Sequence, residues 1–553
     1  MKASESKLSQ ILTDKRSYEI PPYQRTYSWK GEHVNALLED LYEAFENKND
    51  EYFIGSIIAI ETKRDVCFEI IDGQQRLTTL TLILAKLRDL FFDQSAKNEV
   101  QSRILPVDGL TGEVESPRLL VREKDRKFFS DFVLLGKTTI APVSTTQMRI
   151  KENSSTIESF FGNTEKFPHN DEQKTLKKFA SYLIHSVSIV FVTTENFDSA
   201  YRLFNVLNSR GLSLSNSDLI KNSLFQKSHS ESEKEKINDV WSELENLVGL
   251  DNFDTFLSHH RTSIKGDKQQ NTLFKEYVNN NEKSEGLIEK YYSNRVTNFC
   301  DDLLESALNY DRILKVKNFC VKSERLISSL QGVSHDEWIP ALLACMNKKL
   351  ENDLLFFSKF LSLLEKITMQ NWVRRLGKTK RNTVYYHLIK NINDDKSANE
   401  ILSTIKKEAD NEEFMTLLAS DVYGMGYDAA ILLRIEREMQ DDSVLKTFNG
   451  VISIEHILPQ NMKEVVYWKE RFTQEQQKYW VHKLGNLTLL SGRKNSAAQN
   501  YSFEKKKEVY LKRGNKVSFD MTKKICDEKE WTVDMLEKRQ KELLEKAAEI
   551  WKI

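Results

Sequence analysis

Glycine and proline are scarce in this sequence, with 19 and 8 among 553 residues. All-β sandwiches and barrels use these residues at their many turns, so the scarcity favours long helices. The five cysteines form no CxxC pair. A disulfide framework or a structural zinc site is therefore not expected, and a reducing, cytoplasmic compartment fits this usage.

Long apolar runs and an excess of one charge are also missing. No stretch reaches the roughly 18 uninterrupted apolar residues of a membrane span, and the first segment lacks the apolar region of a signal peptide. We therefore expect no membrane association. Lys and Arg number 81 against 82 Asp and Glu, a net charge of −1. This balance argues against a protein that coats polyanions, so nucleic-acid contacts must come from local patches.

The N-terminal part mixes strand and helix patterns. Two β-rich runs at 51–61 and 66–72, separated by a short polar stretch, predict a hairpin. Leucines at three- and four-residue steps over 74–93 predict an amphipathic helix that Gly73 introduces. The run 185–196 predicts another strand.

The middle of the chain is almost wholly helical in pattern, from 237 to about 445. Ser215 and Asp218 predict the start of an earlier helix that runs through Phe225. The polar stretch 228–236 is either a domain boundary or the first exposed turns of a helix. Short β-type pieces return from 451. The predicted fold class is α+β and predominantly helical, with regions 1–230, 231–445 and 446–553.

The C-terminal region offers the groups that phosphodiester hydrolysis needs. That reaction uses a base to deprotonate water and a cation to offset charge on the phosphate. One histidine and a few oxygen ligands suffice, because Mg²⁺ prefers oxygen. Glu455, His456, Asn486 and Asn495 follow in order. Singly, such residues are more often packing or turn residues, but their ordered combination indicates a nuclease centre.

The blocks IEHILPQ, LGNLTLLSGRKNSAAQN and FEKKK resemble the HNH (ββα-metal) domain of GmrSD-type, modification-dependent Type IV restriction endonucleases. The resemblance implies that His456 is the general base and that Glu455 and Asn495 hold Mg²⁺ or Mn²⁺. It makes Asn486 the middle HNH residue of the catalytic set, which braces the loop through backbone hydrogen bonds. Two further residues are secondary candidates, namely His482 and Asn500.

The geometry of a strand limits this assignment. Adjacent strand residues face opposite sides, so Glu455 and His456 share a site only if the strand ends or bends there. Pro459, soon after, favours an early strand end. The lysines Lys505 to Lys507 are interpreted either as phosphate contacts or as a solvated helix face.

Three blocks in the first region combine amides, arginines and aromatic rings. IPPYQRTYSW (20–29) forms a proline-stiffened loop suited to stacking on bases or contacting phosphate. IIDGQQRLTTL (70–80) lies at a strand-to-helix turn, where backbone N–H groups favour anions and Arg76 could bind phosphate in bidentate fashion. The third block, 204–222, offers Asn208, Arg210 and Lys221 as secondary candidates. Singly, each is more often turn chemistry or surface charge.

Together these blocks resemble the ParB-like N-terminal domain of the same family. The resemblance implies binding and hydrolysis of GTP or another nucleoside triphosphate at Asp72, Gly73, Gln74, Gln75 and Arg76. It also implies a part in sensing modified DNA, which we assign to Tyr23, Gln24, Arg25, Tyr27 and Trp29.

The expected protein is a nucleotide-regulated, metal-dependent endonuclease that cleaves modified phage DNA in antiviral defence. Its expected partners are double-stranded DNA and a nucleotide, and a homodimer would make the two single-strand cuts of a double-strand break. An HNH toxin that nicks DNA or cleaves RNA is an alternative, since such centres do not select the polymer by themselves. A nucleotide-switched DNA-binding regulator with a vestigial nuclease is another.

Overall fold

A computed structural model divides the chain into two compact units. One comprises Met1–Asp251 with Ser293–Thr297, and the other Asn252–Tyr292 with Asn298–Ile553. The predicted region boundaries at 230 and 445 remain predictions. Six predicted residues lie outside the described part of the chain, namely Tyr23, Arg25, Asn208, Arg210, Ser215 and Asn495. The structure describes residues 2–13, 15–22, 24, 26–108, 110–168, 171–194, 216–278, 285–293, 295–440, 451–462, 465–491, 500–511 and 519–553.

In the described residues of the first unit, six strands form one mixed sheet in the order β1-β6-β3-β4-β2-β5. They are β1 (Lys2–Lys7), β2 (Ser17–Glu19), β3 (Tyr52–Lys63), β4 (Cys67–Asp72), β5 (Leu119–Leu120) and β6 (Val187–Thr194). The antiparallel pairing of β3 with β4 confirms the predicted hairpin. β6 confirms the strand predicted within 185–196, and it pairs with β3 in parallel.

Helices make up much of the rest of the described first unit. Those described are α1 (Leu8–Ile11), α2 (Gly31–Glu46), α3 (Gln74–Leu90), α4 (Gln94–Ile104), α5 (Glu123–Phe129), α6 (Thr145–Phe161), α7 (Glu172–His185), α8 (Asn216–Lys227) and α9 (Glu231–Val248). α8 agrees with the helix predicted to run through Phe225. Ser230 caps α9 by accepting a hydrogen bond from the backbone N of Glu233 at 3.2 Å. Residues 231–236 are therefore the first turns of a helix, one of the two interpretations left open by the sequence.

Helix α3 is an interior helix that packs against α4 and α6. It is buried along nearly its whole length and around most of its circumference, whereas the sequence predicted one apolar face. Thr79 and Thr81 donate to the carbonyl oxygens of Gln75 and Leu77 within the helix. Because these bonds remove most of the cost of burying a hydroxyl, a helix with polar residues on its second face can still lie inside.

Gly73 makes the turn from β4 into α3 in the left-handed conformation, with φ of 91°. A Cβ atom there would lie 2.7 Å from Cγ1 of Ile57 and 3.0 Å from the carbonyl oxygen of Ser56. Backbone conformation and packing therefore both require glycine at this turn.

We expect Gly73→Ala to destabilise the protein by about 2–4 kcal/mol, because left-handed strain and a steric clash act together. Urea denaturation of the full-length protein, followed by circular dichroism, measures the loss. Gly112→Ala is the matched control, since Gly112 has φ of 71° but no atom within 4 Å of an added Cβ. Equal losses for the two variants would show that the clash at Gly73 is relieved at no cost.

Helices dominate the second unit, which confirms the helical pattern read from the middle of the chain. Those described are α10 (Phe253–Lys265), α11 (Leu273–Tyr277), α12 (Leu287–Tyr292), α13 (Val296–Lys315), α14 (Val321–Gln331), α15 (Ile339–Asn347), α16 (Leu354–Val373), α17 (Lys378–Asn393), α18 (Ala398–Glu408), α19 (Asn411–Ala419), α20 (Asp428–Glu438), α21 (Val466–Arg471), α22 (Gln474–Trp480), α23 (Phe503–Leu511), α24 (Asp520–Cys526) and α25 (Val533–Trp551). None of these described helices combines the length and the apolar character needed to cross a bilayer.

Strands β7 (Ile452–His456) and β8 (Leu487–Ser491) form an antiparallel pair in the second unit, as the β-type pieces after 451 predicted. One hydrophobic core joins this pair to helices from earlier in the chain. It contains Met369 of α16, Leu432 of α20, Leu489 of β8 and Trp551 of α25. The strand pair is therefore supported by helices that precede residue 446 as well as by those that follow it.

Candidate functional site

The predicted Glu455-His456 pair lies at the end of β7, and His456 is the last residue of the strand. In the antiparallel register, Glu455 is opposite Thr488 and His456 is opposite Leu487. The strand thus ends where the sequence predicted it could. Glu455 and His456 nevertheless have different side-chain partners, as expected for neighbours in a strand.

His456 lies among polar and aromatic side chains and is 7% exposed. Its Nε2 is 3.3 Å from Nδ1 of His482, and its Nδ1 is 3.2 Å from Nε2 of Gln460. The ring of Tyr423 meets the imidazole edge-on, with 4.2 Å between ring centroids. Burial, and then the neighbouring charges of His482 and Lys506, lower the pKa of His456 to about 3. The imidazole is therefore neutral at physiological pH, with a free lone pair. Because a general base works best with a pKa near the working pH, the pKa of His456 would have to rise when a phosphate binds.

The hydrogen bonds of His456 indicate which ring nitrogen is basic. An amide nitrogen only donates, so Nε2 of Gln460 donates to Nδ1 of His456. Nε2 of His456 then carries the ring proton and donates to Nδ1 of His482. The lone pair that could take a proton is on Nδ1, at the position where Gln460 binds.

Sequence analysis did not identify most of the residues that contact His456. His482 is only a secondary candidate there, yet its ring is hydrogen-bonded to His456 and stacks on Tyr423 at 5.4 Å and 9°. Gln460 belongs to the same IEHILPQ block but carried no predicted role. Tyr423 is distant in sequence, and no motif marks it. Asn500, the other secondary candidate, is exposed in a turn before α23.

Asn486 is fully buried and holds the loop that follows His456. Its Oδ1 accepts from the backbone N of Leu458 at 2.7 Å. Its Nδ2 donates to the carbonyl oxygens of Leu458 at 2.9 Å and Val481 at 3.0 Å. Gln540 of α25 accepts from the backbone N of Gly485 next to it. These contacts are of the type that the predicted bracing role requires.

Glu455 faces helix α23. Its Oε1 accepts from Nζ of Lys506 at 2.7 Å and from the hydroxyl of Tyr510 at 3.0 Å. Lys506 is 1% exposed and also donates to the carbonyl oxygen of His456 at 2.6 Å. Burial raises the pKa of Glu455 against the opposing effects of Lys506 and Tyr510, and burial lowers the pKa of Lys506 against that of Glu455.

The environment of Lys506 therefore matches neither interpretation of the lysines at 505–507. It is neither a phosphate contact nor part of a solvated face, because its ammonium group joins β7 to α23 inside the protein. Its neighbour Lys505 is exposed, with Nζ 4.6 Å from the ring centroid of Tyr501. Helical periodicity alone could not reveal which lysine of the run faces inward without knowing the position of β7.

The predicted metal site is incomplete among the residues that the structure describes. No group of three His, Cys, Asp or Glu side chains there could hold a metal ion. Oε1 of Glu455 is bound to an ammonium group, and Asn495, the other predicted ligand, lies outside the described part. A carboxylate is the kind of ligand that Mg²⁺ prefers, and Oε1 of this one already binds Lys506 and Tyr510. Of the two predicted ligands, Glu455 is therefore the one that lies in the described part of the chain.

In the first unit, the predicted nucleotide-binding residues lie where β4 turns into α3. Asp72 ends β4, Gly73 forms the turn and Gln74 begins the helix. Arg76 donates from Nη1 to the carbonyl oxygen of Ser56 at 3.0 Å. Its guanidinium group is half-buried, so a bidentate phosphate contact would have to use its other N–H groups.

Two buried glutamines join the IIDGQQRLTTL block to the IPPYQRTYSW block. Gln75 accepts at Oε1 from the backbone N of Ser28 at 2.8 Å and donates from Nε2 to the carbonyl oxygen of Thr26 at 3.0 Å. Gln24 donates from Nε2 to the carbonyl oxygen of Ile71 at 2.9 Å. Both amides bind backbone in the interior, so a direct contact with nucleotide or DNA would require this junction to open.

Tyr27 is an interior residue, although the sequence predicted an aromatic surface for stacking on bases. It is 7% exposed, and its hydroxyl lies 2.8 Å from Oγ1 of Thr79 and accepts from Nδ2 of Asn153 at 3.1 Å. Burial raises the pKa of Tyr27 to about 12. Because Thr79 and Asn153 satisfy the hydroxyl, the ring can be buried. Trp29 remains half-exposed and stacks on His33, with ring centroids 6.2 Å apart.

The third sequence block (204–222) contacts the IPPYQRTYSW block beside a buried group of charged residues. Lys221 of α8 is fully buried and donates from Nζ to the carbonyl oxygen of Pro22 at 3.0 Å. Burial, and then the charge of Arg122, lowers the pKa of Lys221 to about 7, whereas burial raises the pKa of Glu245. Nη1 of Arg122 is 3.7 Å from Oε2 of Glu245. The third block is thus joined to the first. Two charged residues that no motif had marked, Arg122 and Glu245, belong to the same buried group.

A small polar cavity lies beside this junction. Gln74 and Gln75 line it together with Arg122 and Asp125, and burial raises the pKa of Asp125. Its volume of about 20 Å³ is enough for about one water molecule. In this conformation the cavity is far too small for a nucleotide.

Two family models match the chain. The model described as GmrSD restriction endonuclease, N-terminal domain, matches residues 8–225. The model described as GmrSD restriction endonucleases, C-terminal domain, matches residues 408–546. Together the two ranges cover more than half of the sequence, and they include all of the blocks analysed above. No curated protein matches the chain.

Proposed function

Because the chain belongs to the GmrSD restriction endonuclease family, we propose that its C-terminal centre is an HNH-type site that cleaves modified phage DNA in the cytoplasm. Membership of this family makes the protein a restriction endonuclease that acts against modified DNA. The observation that best supports an HNH-type centre is the environment of His456. Its neutral imidazole lies at a strand end, beside a loop that Asn486 braces.

In the proposed mechanism, His456 is the general base. A water molecule replaces Gln460 at Nδ1. As its oxygen bonds to the scissile phosphorus, its proton passes to Nδ1, and the P–O bond to the leaving oxygen breaks, so that this oxygen departs as an alkoxide and is protonated by solvent. Nε2–H of His456 keeps its hydrogen bond to His482, which holds the ring in place and stabilises the imidazolium that forms. Asn486 fixes the backbone of the following loop, so the ring cannot drift from the attacking water.

The proposal includes a divalent cation, Mg²⁺ or Mn²⁺, with Glu455 and Asn495 as its ligands. When bound, such an ion offsets the negative charge on the phosphate and on the leaving oxygen. Lys506 pairs with Oε1 of Glu455, so the ion would compete with Lys506 for the negative charge of this carboxylate.

We further propose that the first unit binds and hydrolyses GTP or another nucleoside triphosphate and thereby regulates cleavage. Asp72 and Arg76 at the β4–α3 turn are the proposed centre of this activity, because a helix start favours phosphate. The support is that the 20–29 block bonds the residues of this turn and that Lys221 of the third block in turn bonds Pro22 of the 20–29 block. A homodimer would supply the two cuts of a double-strand break.

Digestion of labelled polymers tests the proposed function. Modified phage DNA, unmodified DNA and RNA are incubated with the full-length protein, with and without Mg²⁺ and each nucleoside triphosphate. We expect cleavage of modified DNA only, dependent on the nucleotide and abolished by EDTA. Equal cleavage of unmodified DNA, or preferential cleavage of RNA, would replace the proposal by a non-specific nuclease or an RNA-cleaving toxin. Binding without any cleavage would favour a regulator.

Asp72→Ala is expected to lower nucleotide turnover by about 100-fold or more, as loss of a group that positions metal or water does. Release of inorganic phosphate measures the turnover. Asp50→Ala removes an exposed carboxylate from the same unit and serves as the matched control. Normal turnover by the Asp72 variant would remove the case for a centre at this turn.

A further inference from the structure

A cavity of about 310 Å³ lies among helices of the second unit. Side chains from α10, α12, α13, α15 and α17 line it. These residues belong to the segment between the two matched ranges, so neither family model includes the cavity. Its volume is at the lower end of what a small organic ligand occupies, about 300–1,000 Å³.

His260 presents a fixed lone pair in the wall of this cavity. The hydroxyl of Tyr277 donates its one proton to the carbonyl oxygen of Leu257 at 2.8 Å. It must therefore accept from Nδ1–H of His260, which lies 2.7 Å away. Nε2 of His260 is left as an unprotonated acceptor, and no described residue donates to it. The side chain is 1% exposed, so water reaches it at most through the cavity.

The cavity wall contains other hydrogen-bond acceptors besides Nε2 of His260. Asn393 donates from Nδ2 to the carbonyl oxygens of Ser263 and Ile264 at 2.9 and 2.7 Å, so only its Oδ1 remains to contact a ligand. On α13, Asp302 adds an exposed carboxylate that accepts from the hydroxyl of Tyr292, whereas the carboxylate of Glu305 is paired with Nζ of Lys349 at 3.2 Å.

The one lysine among the lining residues is already paired. Nζ of Lys348 lies 2.9 Å from Oδ1 of Asp395. Tyr292 supplies an aromatic ring, whereas Nζ of Lys290 already lies 5.2 Å from the ring centroid of Tyr291. The described wall therefore offers acceptors, the negative charge of Asp302 and the ring of Tyr292.

We propose that this cavity binds a small organic cation that carries N–H donors, such as a primary ammonium or a guanidinium group. The donors would meet Nε2 of His260 and Oδ1 of Asn393, and the positive charge would be balanced by Asp302. The ring of Tyr292 would contribute cation–π attraction. A metal ion fits less well, since no group of three ligating side chains among the described residues could hold one. The proposal is independent of the nuclease mechanism.

Calorimetric titration of the full-length protein with 1,4-diaminobutane tests the proposal. We expect saturable binding of one diamine. Tetramethylammonium has the charge but no N–H group, and 1-butanol has the chain without the charge, so both should bind at least about tenfold more weakly. Tetramethylammonium that bound as tightly as the diamine would overturn the assigned recognition by N–H donors.

Two variants locate the binding. His260→Phe keeps a ring and removes the acceptor, so the affinity for 1,4-diaminobutane should fall by about tenfold or more. Asp302→Asn removes the charge of an exposed group but keeps an oxygen that can accept from Tyr292, and it should weaken binding by about threefold. Asp301→Asn, one residue away on α13 and outside the cavity lining, should have no effect. An absence of saturable binding by the unmodified protein, or equal affinities for the Asp301 and Asp302 variants, would overturn the proposal.

Discussion

Cleavage of modified DNA by the His456→Ala protein is expected to be about 10²- to 10⁴-fold slower than cleavage by the unmodified protein. This is the usual contribution of a positioned general base. Alanine removes the imidazole that would take the proton, while the pairing of β7 with β8 depends on backbone atoms and should persist. Single-turnover cleavage rates measure the loss, and circular dichroism checks the fold.

His482→Ala is the informative comparison, because the two histidines lie side by side. In the proposed arrangement His482 only accepts a hydrogen bond from Nε2–H of His456. Removing the His482 ring should therefore slow cleavage by about tenfold. A larger loss for His482→Ala than for His456→Ala would transfer the role of general base to His482. Unchanged cleavage by both variants would exclude this centre.

Lys506→Met is expected to destabilise the protein by about 3–5 kcal/mol, the usual effect of removing one partner of a buried ion pair. Methionine fills much of the same space, but it leaves the buried carboxylate of Glu455 with Tyr510 and without its cation. It also removes the hydrogen bond to the carbonyl oxygen of His456. Urea denaturation of the full-length protein measures the change.

Lys505→Met is the matched control, since Lys505 is the exposed neighbour in the same helix. Its effect should be within about 0.5 kcal/mol, as for most surface substitutions. Adding Glu455→Gln to the Lys506 variant removes the uncompensated charge and should restore part of the stability, in a double-mutant cycle. If Lys506→Met were no more destabilising than Lys505→Met, the buried ion pair would not be what holds β7 to α23.

The features that the sequence predicted correctly are local ones. The β3–β4 hairpin follows from two apolar runs and a polar turn, and the start of α3 follows from Gly73. The helices of the middle region follow from apolar residues at three- and four-residue steps. Family membership was also readable, because its motifs are short and lie in order. These signals depend only on residues that are close in sequence, so they can be recognised without the tertiary structure.

The environment of each candidate residue depends on contacts between distant segments. Gln75 binds the backbone at Thr26 and Ser28, Lys221 binds the carbonyl of Pro22, and Lys506 binds Glu455. A polar residue at the surface and one satisfied in the interior look the same in a sequence, because a buried polar group needs only a partner.

The sequence by itself determined the helical fold class, the hairpin and the family of this protein, since local pattern and motif order carry that information. Only the tertiary structure decided that Tyr27 is an interior residue, that His482 and Tyr423 surround His456, and that Lys506 neutralises Glu455. The physical reason is that burial and pKa depend on which distant groups approach a side chain, and the chain fixes those neighbours only when it folds.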